Sequence, residues 1–385
     1  MLPKIIRPGE PDYRRCTTTV MDTTDPDITF NAAGECHYVA FYRETLLRRW
    51  NPAGKREEFE LLFEKIRREG KGKDYDCILG LSGGVDSSYL AYLAKQNGLR
   101  PLVIHTDTGW NSELAVKNIE NIVRGCGYDL ITHVVDWPEM QDLQRSFFEA
   151  AVPNQDIPQD HAIFAAFYRL AAKHRITCVL TGSNFACESV LPPAWGADSG
   201  DLHHIKAIHR RFGQVPLRNF PRMGYLNYGV NFRVLRRLNV VKPLNLIPYR
   251  KDDAMRTLER EFGWRYYGGK HYESRFTKFF QGWYLPHKFG YDKRLAHLSS
   301  LILSGQITRD EALAELDREH YPAADLREDM FYMQKKLGVS PAEFNRLMSL
   351  PAQPHEAYPS SRWLLEALKK IRNAVMPQPS YQPVP

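Results

Sequence analysis

The order of apolar runs between residues 76 and 184 constrains this chain more than any other feature. Four short runs rich in Val, Ile and Leu lie at Asp76 to Leu81, Pro101 to His105, Leu130 to Asp136 and Ile176 to Leu180. They alternate with helix-period stretches at Ser87 to Gln96, Glu113 to Arg124 and Asp160 to His174. Strands joined through helices cannot pair as tight hairpins, and the crossover connection makes them parallel. Their near-continuous apolar character means that both faces of the sheet are covered. An α/β fold is therefore expected, and collagen-like, disordered and mini-protein classes are excluded.

Outside this stretch the pattern changes. Residues 1–55 read as irregular, and Glu57 to Glu69 as a helix with Phe59, Leu62, Phe63 and Ile66 at helical spacing. Beyond residue 190 the alternation fades; 192–235 are rich in Pro, Gly, Arg and aromatics, and one more strand is expected near Val240 to Leu246. Thr308 to Glu311 and Ser340 to Glu343 read as capping boxes, Trp363 to Val375 as an amphipathic helix, and Pro377 to Pro385 as a loose tail. The expected division is an N-terminal segment 1–55, an α/β domain 56–250, a helical region 251–376 and a tail 377–385.

Charge and cysteine content narrow the setting. With 52 Lys and Arg against 45 Asp and Glu the net charge is +7, a mild excess spread in small clusters rather than in the dense stripe of a nucleic-acid binder. Six cysteines in 385 residues are too few for a disulfide scaffold and suit a reducing compartment, so a cytoplasmic protein is expected. Met1 to Arg15 lacks the apolar stretch of a secretory signal, and no run reaches the ~18 apolar residues of a membrane span.

The chemistry concentrates in Ile78-Leu-Gly-Leu-Ser-Gly-Gly-Val-Asp-Ser-Ser88, a turn between a strand's carboxyl end and a helix start. Gly83 and Gly84 let the backbone approach an anion, and the free N–H groups of the helix start point at it. Ser82, Ser87 and Ser88 add hydroxyls. No Lys follows the glycines, so a Gly-x4-Gly-Lys-Ser/Thr loop is excluded. Asp86 in that place would repel phosphate unless a metal ion lay between them, which implies Mg²⁺.

Ser82-Gly-Gly-Val-Asp-Ser87 resembles the pyrophosphate loop of the PP-loop ATP pyrophosphatases, a family that includes GMP, asparagine and NAD synthetases and tRNA-modifying thiolases. The resemblance implies an ATP-binding sheet of the adenine nucleotide alpha hydrolase kind. In that family the loop grips the β and γ phosphates while a substrate oxygen attacks the α phosphate. It also implies adenosine contacts from His105-Thr-Asp107-Thr108-Gly109, where Asp107 accepts from ribose or caps the next helix. Thr181, Gly182, Ser183, Asn184 and Glu188 would face the phosphates or the metal.

Lys270-His-Tyr-Glu-Ser-Arg275-Phe-Thr-Lys278 and the sequence after it resemble the C-terminal signature of N-acetyl sugar amidotransferases of the WbpG and PseA type, which act in lipopolysaccharide and related surface-sugar synthesis. Lys270, His271, Glu273 and Arg275 then form the expected substrate group. The implied activity is an ATP-dependent, AMP-forming conversion of the acetamido group of a nucleotide-linked sugar to an acetamidino group. Asp86, Glu188 and Glu273 are the expected catalytic residues, with Glu188 or Glu273 taking the proton of the attacking ammonia. Without an N-terminal Cys or a Gly-x-Cys-x-Gly elbow, a separate class I, triad-type glutaminase is expected to supply that ammonia. A tRNA-modifying PP-loop enzyme is the alternative. A third reading is a nucleotide sensor that has kept the fold without turnover.

The same family often carries two Cys-x-x-Cys pairs near the N-terminus. Here Cys16 is followed by Thr19 and Cys36 by Val39 at the partner positions, which leaves two thiolates where a closed zinc site needs four. No structural zinc is expected.

Overall fold

The computed structural model describes residues 2–50, 54–235 and 238–367. At its centre is a parallel five-stranded sheet of order β3-β2-β1-β4-β5. The strands are β1 (Cys77–Gly80), β2 (Pro101–Asp107), β3 (Leu130–Val134), β4 (Cys178–Leu180) and β5 (Asn239–Val241). Central β1 pairs with β2 from Cys77↔Pro101 to Gly80↔Ile104 and with β4 through Ile78↔Val179 and Leu79↔Leu180. The chain builds outward from β1 to β3 and then resumes on the other side with β4. The strand order therefore reverses beside β1, and a crevice for ligands opens at such a point.

The helices along this part of the chain are α1 (Arg56–Gly70), α2 (Val85–Gln96), α3 (Glu113–Cys126), α4 (Trp137–Ala150), α5 (Ile157–Lys173), α6 (Phe185–Glu188), α7 (Leu202–Phe212) and α8 (Lys251–Phe262). Successive strand residues point to opposite faces, and each face has its own core. Leu79, Val103 and Leu180 pack with Phe63 of α1, Leu90 of α2, Ile122 of α3 and Leu258 of α8. Ile78, Leu102, Ile104 and Val179 pack with Ala165, Phe167 and Tyr168 of α5. This is the expected fold, a parallel sheet covered by helices on both faces with a helical C-terminal region; the N-terminal segment differs from the irregular reading, because His37–Phe41, a π turn at Tyr42–Leu46 and Leu47–Arg49 run on as one helical stretch.

The C-terminal region holds α9 (Arg275–Phe279), which continues through a π turn at Phe280–Tyr284, then α10 (Lys293–Leu303), α11 (Arg309–Leu316), α12 (Ala323–Leu337) and α13 (Pro341–Ser349). Thr308 opens α11 with the expected reciprocal capping box to Glu311. Ser340 caps α13 by accepting from Glu343 N. Val20, Tyr38 and Val39 of the N-terminal segment share one apolar core with Phe276, Phe279, Leu285 and Leu295, so the two ends of the chain are stabilised together.

Some elements differ from the sequence reading. α4 occupies a stretch with no expected helix, because two of its buried residues are carboxylates that interrupt the apolar period. Glu139 accepts from the backbone N–H of Asn219 and Phe220, and Asp142 from those of Gln214 and Val215. α7 and a π-helical stretch at Asn227–Leu235 lie in sequence read as irregular. β5 is shorter than expected, and Pro243–Leu246 is a 3-10 turn. The expected helix Trp363 to Val375 is helical as far as residue 367, and the rest of it, with the tail, lies outside the described residues.

At the altered cysteine pairs, Cys16 Sγ accepts from the N–H groups of Cys36 at 3.1 Å and Thr19 at 3.4 Å, and Thr19 Oγ1 lies 3.6 Å from Cys36 Sγ. The side-chain hydrogen bond between the two thiols pushes Cys16 down to about 5 and pushes Cys36 up. Val39 at the other partner position is fully buried. Among the described residues no three His, Cys, Asp or Glu side chains are placed to share a metal ion. No described helix is long and apolar enough to cross a membrane.

Candidate active site

A cavity of about 600 Å³ opens at the carboxyl ends of β1, β2 and β4. Its floor is the loop that leaves β1. Gly83 has φ +82, and a Cβ there would stand 2.6 Å from Ala115 O, so only glycine fits this turn. Ser82 Oγ accepts from Gly84 N at 3.2 Å and lies 3.3 Å from Ser87 Oγ, while Ser87 Oγ donates to Gly84 O at 3.2 Å. No side chain caps α2 at Gly84, so its first-turn amides remain available to an anion. Ser88 Oγ is buried without a partner among the described residues.

The loop is braced from two sides. At Gly182, after β4, a Cβ would stand 2.8 Å from Ser87 N, so the β4 turn presses on the start of α2. From the C-terminal region Trp264 Nε1 donates to Gly83 O at 2.9 Å, and Asn118 of α3 exchanges two hydrogen bonds with the Arg265 backbone. Further on, Ser112 N donates to Glu273 O at 2.8 Å and Arg275 N to Trp110 O at 2.9 Å. These bonds tie the Lys270 to Arg275 run to the loop after β2, beside the cavity.

The charged side chains form a connected set. Asp86 accepts from Tyr249 Oη, and burial pushes its carboxyl up against the opposing pull of Lys270. Lys270 Nζ lies 3.2 Å from Glu188 Oε1 and donates to Cys187 O. Burial alone would raise Glu188, but Lys270 and His271 outweigh it and hold that carboxyl below its usual range. Glu273 is likewise held low against burial by His271, whose Nδ1 lies 3.5 Å from Glu273 Oε1. Glu273 Oε2 is buried and has no partner among the described residues.

Of the residues expected from the sequence, Ser82, Gly84, Asp86, Ser87, Thr181, Gly182, Glu188, Lys270, His271 and Glu273 all line this one cavity. Four do not. Gly83 turns its carbonyl to Trp264, and Ser88 is buried beneath the loop. Asp107 is a correction to the ribose and helix-cap expectations: its Oδ1 accepts from Gly109 N and Asn111 Nδ2, and Ser112 caps α3 instead. Arg275 is a correction to the substrate group. It lies over the Tyr332 ring at 4.1 Å and pairs with Glu328 and the buried Asp329 of α12.

The structure also adds cavity residues that the sequence reading missed. Lys242 after β5 and Lys251 at the start of α8 bring two more cations, and their signal is their position at the ends of elements in an α/β order. Asp156 and Asp160 enter with the first turn of α5. Their one-turn spacing was the available signal, hidden because the helix begins at Ile157 and not at Asp160. Asp156 Oδ1 accepts from Gln159 Nε2 and Thr277 Oγ1, each at 3.0 Å.

Fold and site together define a parallel α/β protein with a glycine-serine anion loop at its topological switch and a charged cavity above it. Residues 273–372 match the family of LPS biosynthesis protein WbpG-like, C-terminal domains. The tRNA(Ile)-lysidine synthase of Chlamydia trachomatis serovar L2 is 28% identical over 142 residues, 36% of this chain and 41% of that protein, with the same figures for the serovar D enzyme. The chain thus matches 41% of the length of these curated relatives. Among solved structures, an NMN synthetase from Francisella tularensis is 14% identical with TM-score 0.31, over 77% of this chain and 98% of that chain. An NH3-dependent NAD synthetase from Campylobacter jejuni is 15% identical with TM-score 0.27, over 74% and 97%.

Proposed function

We propose that the protein is the synthetase subunit of an ATP-dependent, AMP-forming amidotransferase that converts the acetamido group of a nucleotide-linked sugar to an acetamidino group in surface-glycan synthesis. One observation carries this reading: the loop Ser82 to Ser87 and the run Lys270, His271 and Glu273 meet in a single cavity although some 180 residues separate them. The match of the C-terminal region to WbpG-like domains supports the sugar. The similarity to tRNA(Ile)-lysidine synthase supports an ATP-using synthetase more generally.

The donor set fits Mg²⁺, which prefers oxygen ligands and takes one or two carboxylates beside substrate phosphates. Asp86 would hold it, since Tyr249 engages only Oδ1 and leaves Oδ2. A bound Mg²⁺ would supply charge neutralisation at the phosphates. The loop amides and Ser82, Ser87, Lys242, Lys251 and Lys270 would bind and orient ATP. The amide oxygen of the acceptor would attack the α phosphate, expel pyrophosphate and leave an O-adenylyl imidate, from which ammonia displaces AMP. The chain's own contribution is placement and preorganised charge. Ammonia is proposed to come from a separate triad-type glutaminase.

The test is incubation with Mg-ATP, ammonium and a panel of nucleotide-linked acetamido sugars. AMP release with a product in which NH has replaced the acetamido oxygen is expected. A tRNA base as acceptor is the second reading, prompted by the lysidine synthase similarity. AMP release with RNA and with no member of the sugar panel would favour it.

A further inference from the structure

We propose that His271 is the base that takes the proton from the attacking ammonia, with Glu273 as the positioning residue that orients its ring; the proposal rests on the amidotransferase reading above. His271 lines the cavity with φ +63, a left-handed backbone that a non-glycine residue holds only when its surroundings enforce it. Its Nδ1 faces Glu273 Oε1 at 3.5 Å, and its Nε2 has no hydrogen-bond partner among the described residues. Apo distances of this length tighten when substrate closes the site. A carboxylate that engages one ring nitrogen leaves the other as the proton acceptor, the arrangement that a general base requires.

The neighbouring carboxylates are committed elsewhere. Glu188 is paired with Lys270, Asp86 with Tyr249, and Asp156 with Gln159 and Thr277. Asp160 accepts from no donor among the described residues, but the His271 and Glu273 pair abuts the phosphate loop: Glu273 Oε1 lies 3.4 Å from where a Cβ on Gly84 would stand. The base is therefore in the same cavity as the loop that would hold the ATP phosphates. His297, 5.7 Å away between ring centroids, is kept neutral by burial and by the charge of Lys270.

The step balances as follows. The ammonia lone pair forms the new C–N bond, and the C=N pair of the imidate moves onto its nitrogen. One proton passes from the new ammonium to His271 Nε2. The nitrogen lone pair then reforms a C=N bond as the C–O bond breaks, and that electron pair leaves with AMP.

His271→Gly tests this, because glycine suits the left-handed backbone and opens room for imidazole. The full chain is assayed with Mg-ATP, ammonium and the acceptor that releases AMP in the wild type. Adenylation, read as pyrophosphate–ATP exchange, should stay within about threefold, while ammonium-dependent product formation falls about 100-fold and added imidazole restores about tenfold of it. Glu273→Gln should slow product formation and spare exchange, and Asp160→Asn should leave product formation susceptible to the same His271 loss. Product formation unchanged in His271→Gly, or lost together with exchange and not rescued by imidazole, overturns the assignment. Loss in Asp160→Asn with none in His271→Gly would move the proton to Asp160 and also overturn it. A wild type that turns over RNA in place of sugars would instead sink the amidotransferase reading, and this proposal with it.

Discussion

At Asp86 two demands meet in one side chain. The carboxylate is half-buried at the first turn of α2, where the proposed function would set a cation against the phosphates, and it is steadied by Tyr249 and by the charge of Lys270. Asp86→Ala should abolish AMP formation while circular dichroism and thermal unfolding remain those of a folded protein. A sensor that only binds nucleotide would have no AMP formation to lose. Arg275 is the opposite case. Its pairing with Asp329, which is 2% exposed, makes it part of the packing between α9 and α12. Arg275→Ala should cost roughly 1–3 kcal/mol of stability by leaving a buried carboxylate short of a partner. The KM for ATP of the folded fraction should not change. The places of Asp86 and Arg275 differ through long-range contacts, which is why the position of Asp86 in the cavity was legible from its loop and that of Arg275 outside it was not legible from its neighbours in sequence.

Among elements, the strand-turn-helix at β1 was readable because everything it needs is local: an apolar run, two glycines, and a helix start with no capping side chain. The same holds for the end of β4, although there the need for glycine is set by a distant neighbour. A methyl group at residue 182 would meet the amide of Ser87 at 2.8 Å. Gly182→Ala should therefore displace the start of α2 and weaken ATP binding about tenfold or more, as read by titration calorimetry, with little loss of secondary structure. α4 was not readable, because Glu139 and Asp142 face inward to satisfy backbone amides of 214–220 that only the folded chain brings near. Lys242, Lys251 and the Asp156 and Asp160 pair were missed for a related reason: each is an ordinary charge in its own segment and becomes a site residue only when the sheet places four segments around one cavity.

Across the whole molecule, the cavity stores charge at a cost to stability. Burial pushes Asp156 up to about 6, and burial with the charge of Asp156 pushes Asp160 up to about 7, from 3.8. The folded protein holds these protons more tightly than the unfolded chain. Their contribution is therefore fully present below about 3.8 and is lost progressively as pH rises to about 6 to 7, where the folded carboxyls ionise. Asp160→Asn should raise the unfolding temperature at pH 8 and have little effect at pH 4 or below, and an equal effect at both would contradict the burial argument. The N- and C-terminal segments share a core with Trp110 and Phe276, and Arg275 N donates to Trp110 O, so the Lys270 to Arg275 side of the cavity is tied to the ends of the chain and the Ser82 to Ser87 side to the sheet. The central claim is that an acceptor amide oxygen attacks ATP, and following that oxygen tests it most directly. With ¹⁸O in the acetamido carbonyl of a nucleotide-linked sugar, ammonium and Mg-ATP, the account predicts that the label leaves in AMP and the product carries none. Label retained in the sugar product or found in pyrophosphate would contradict it.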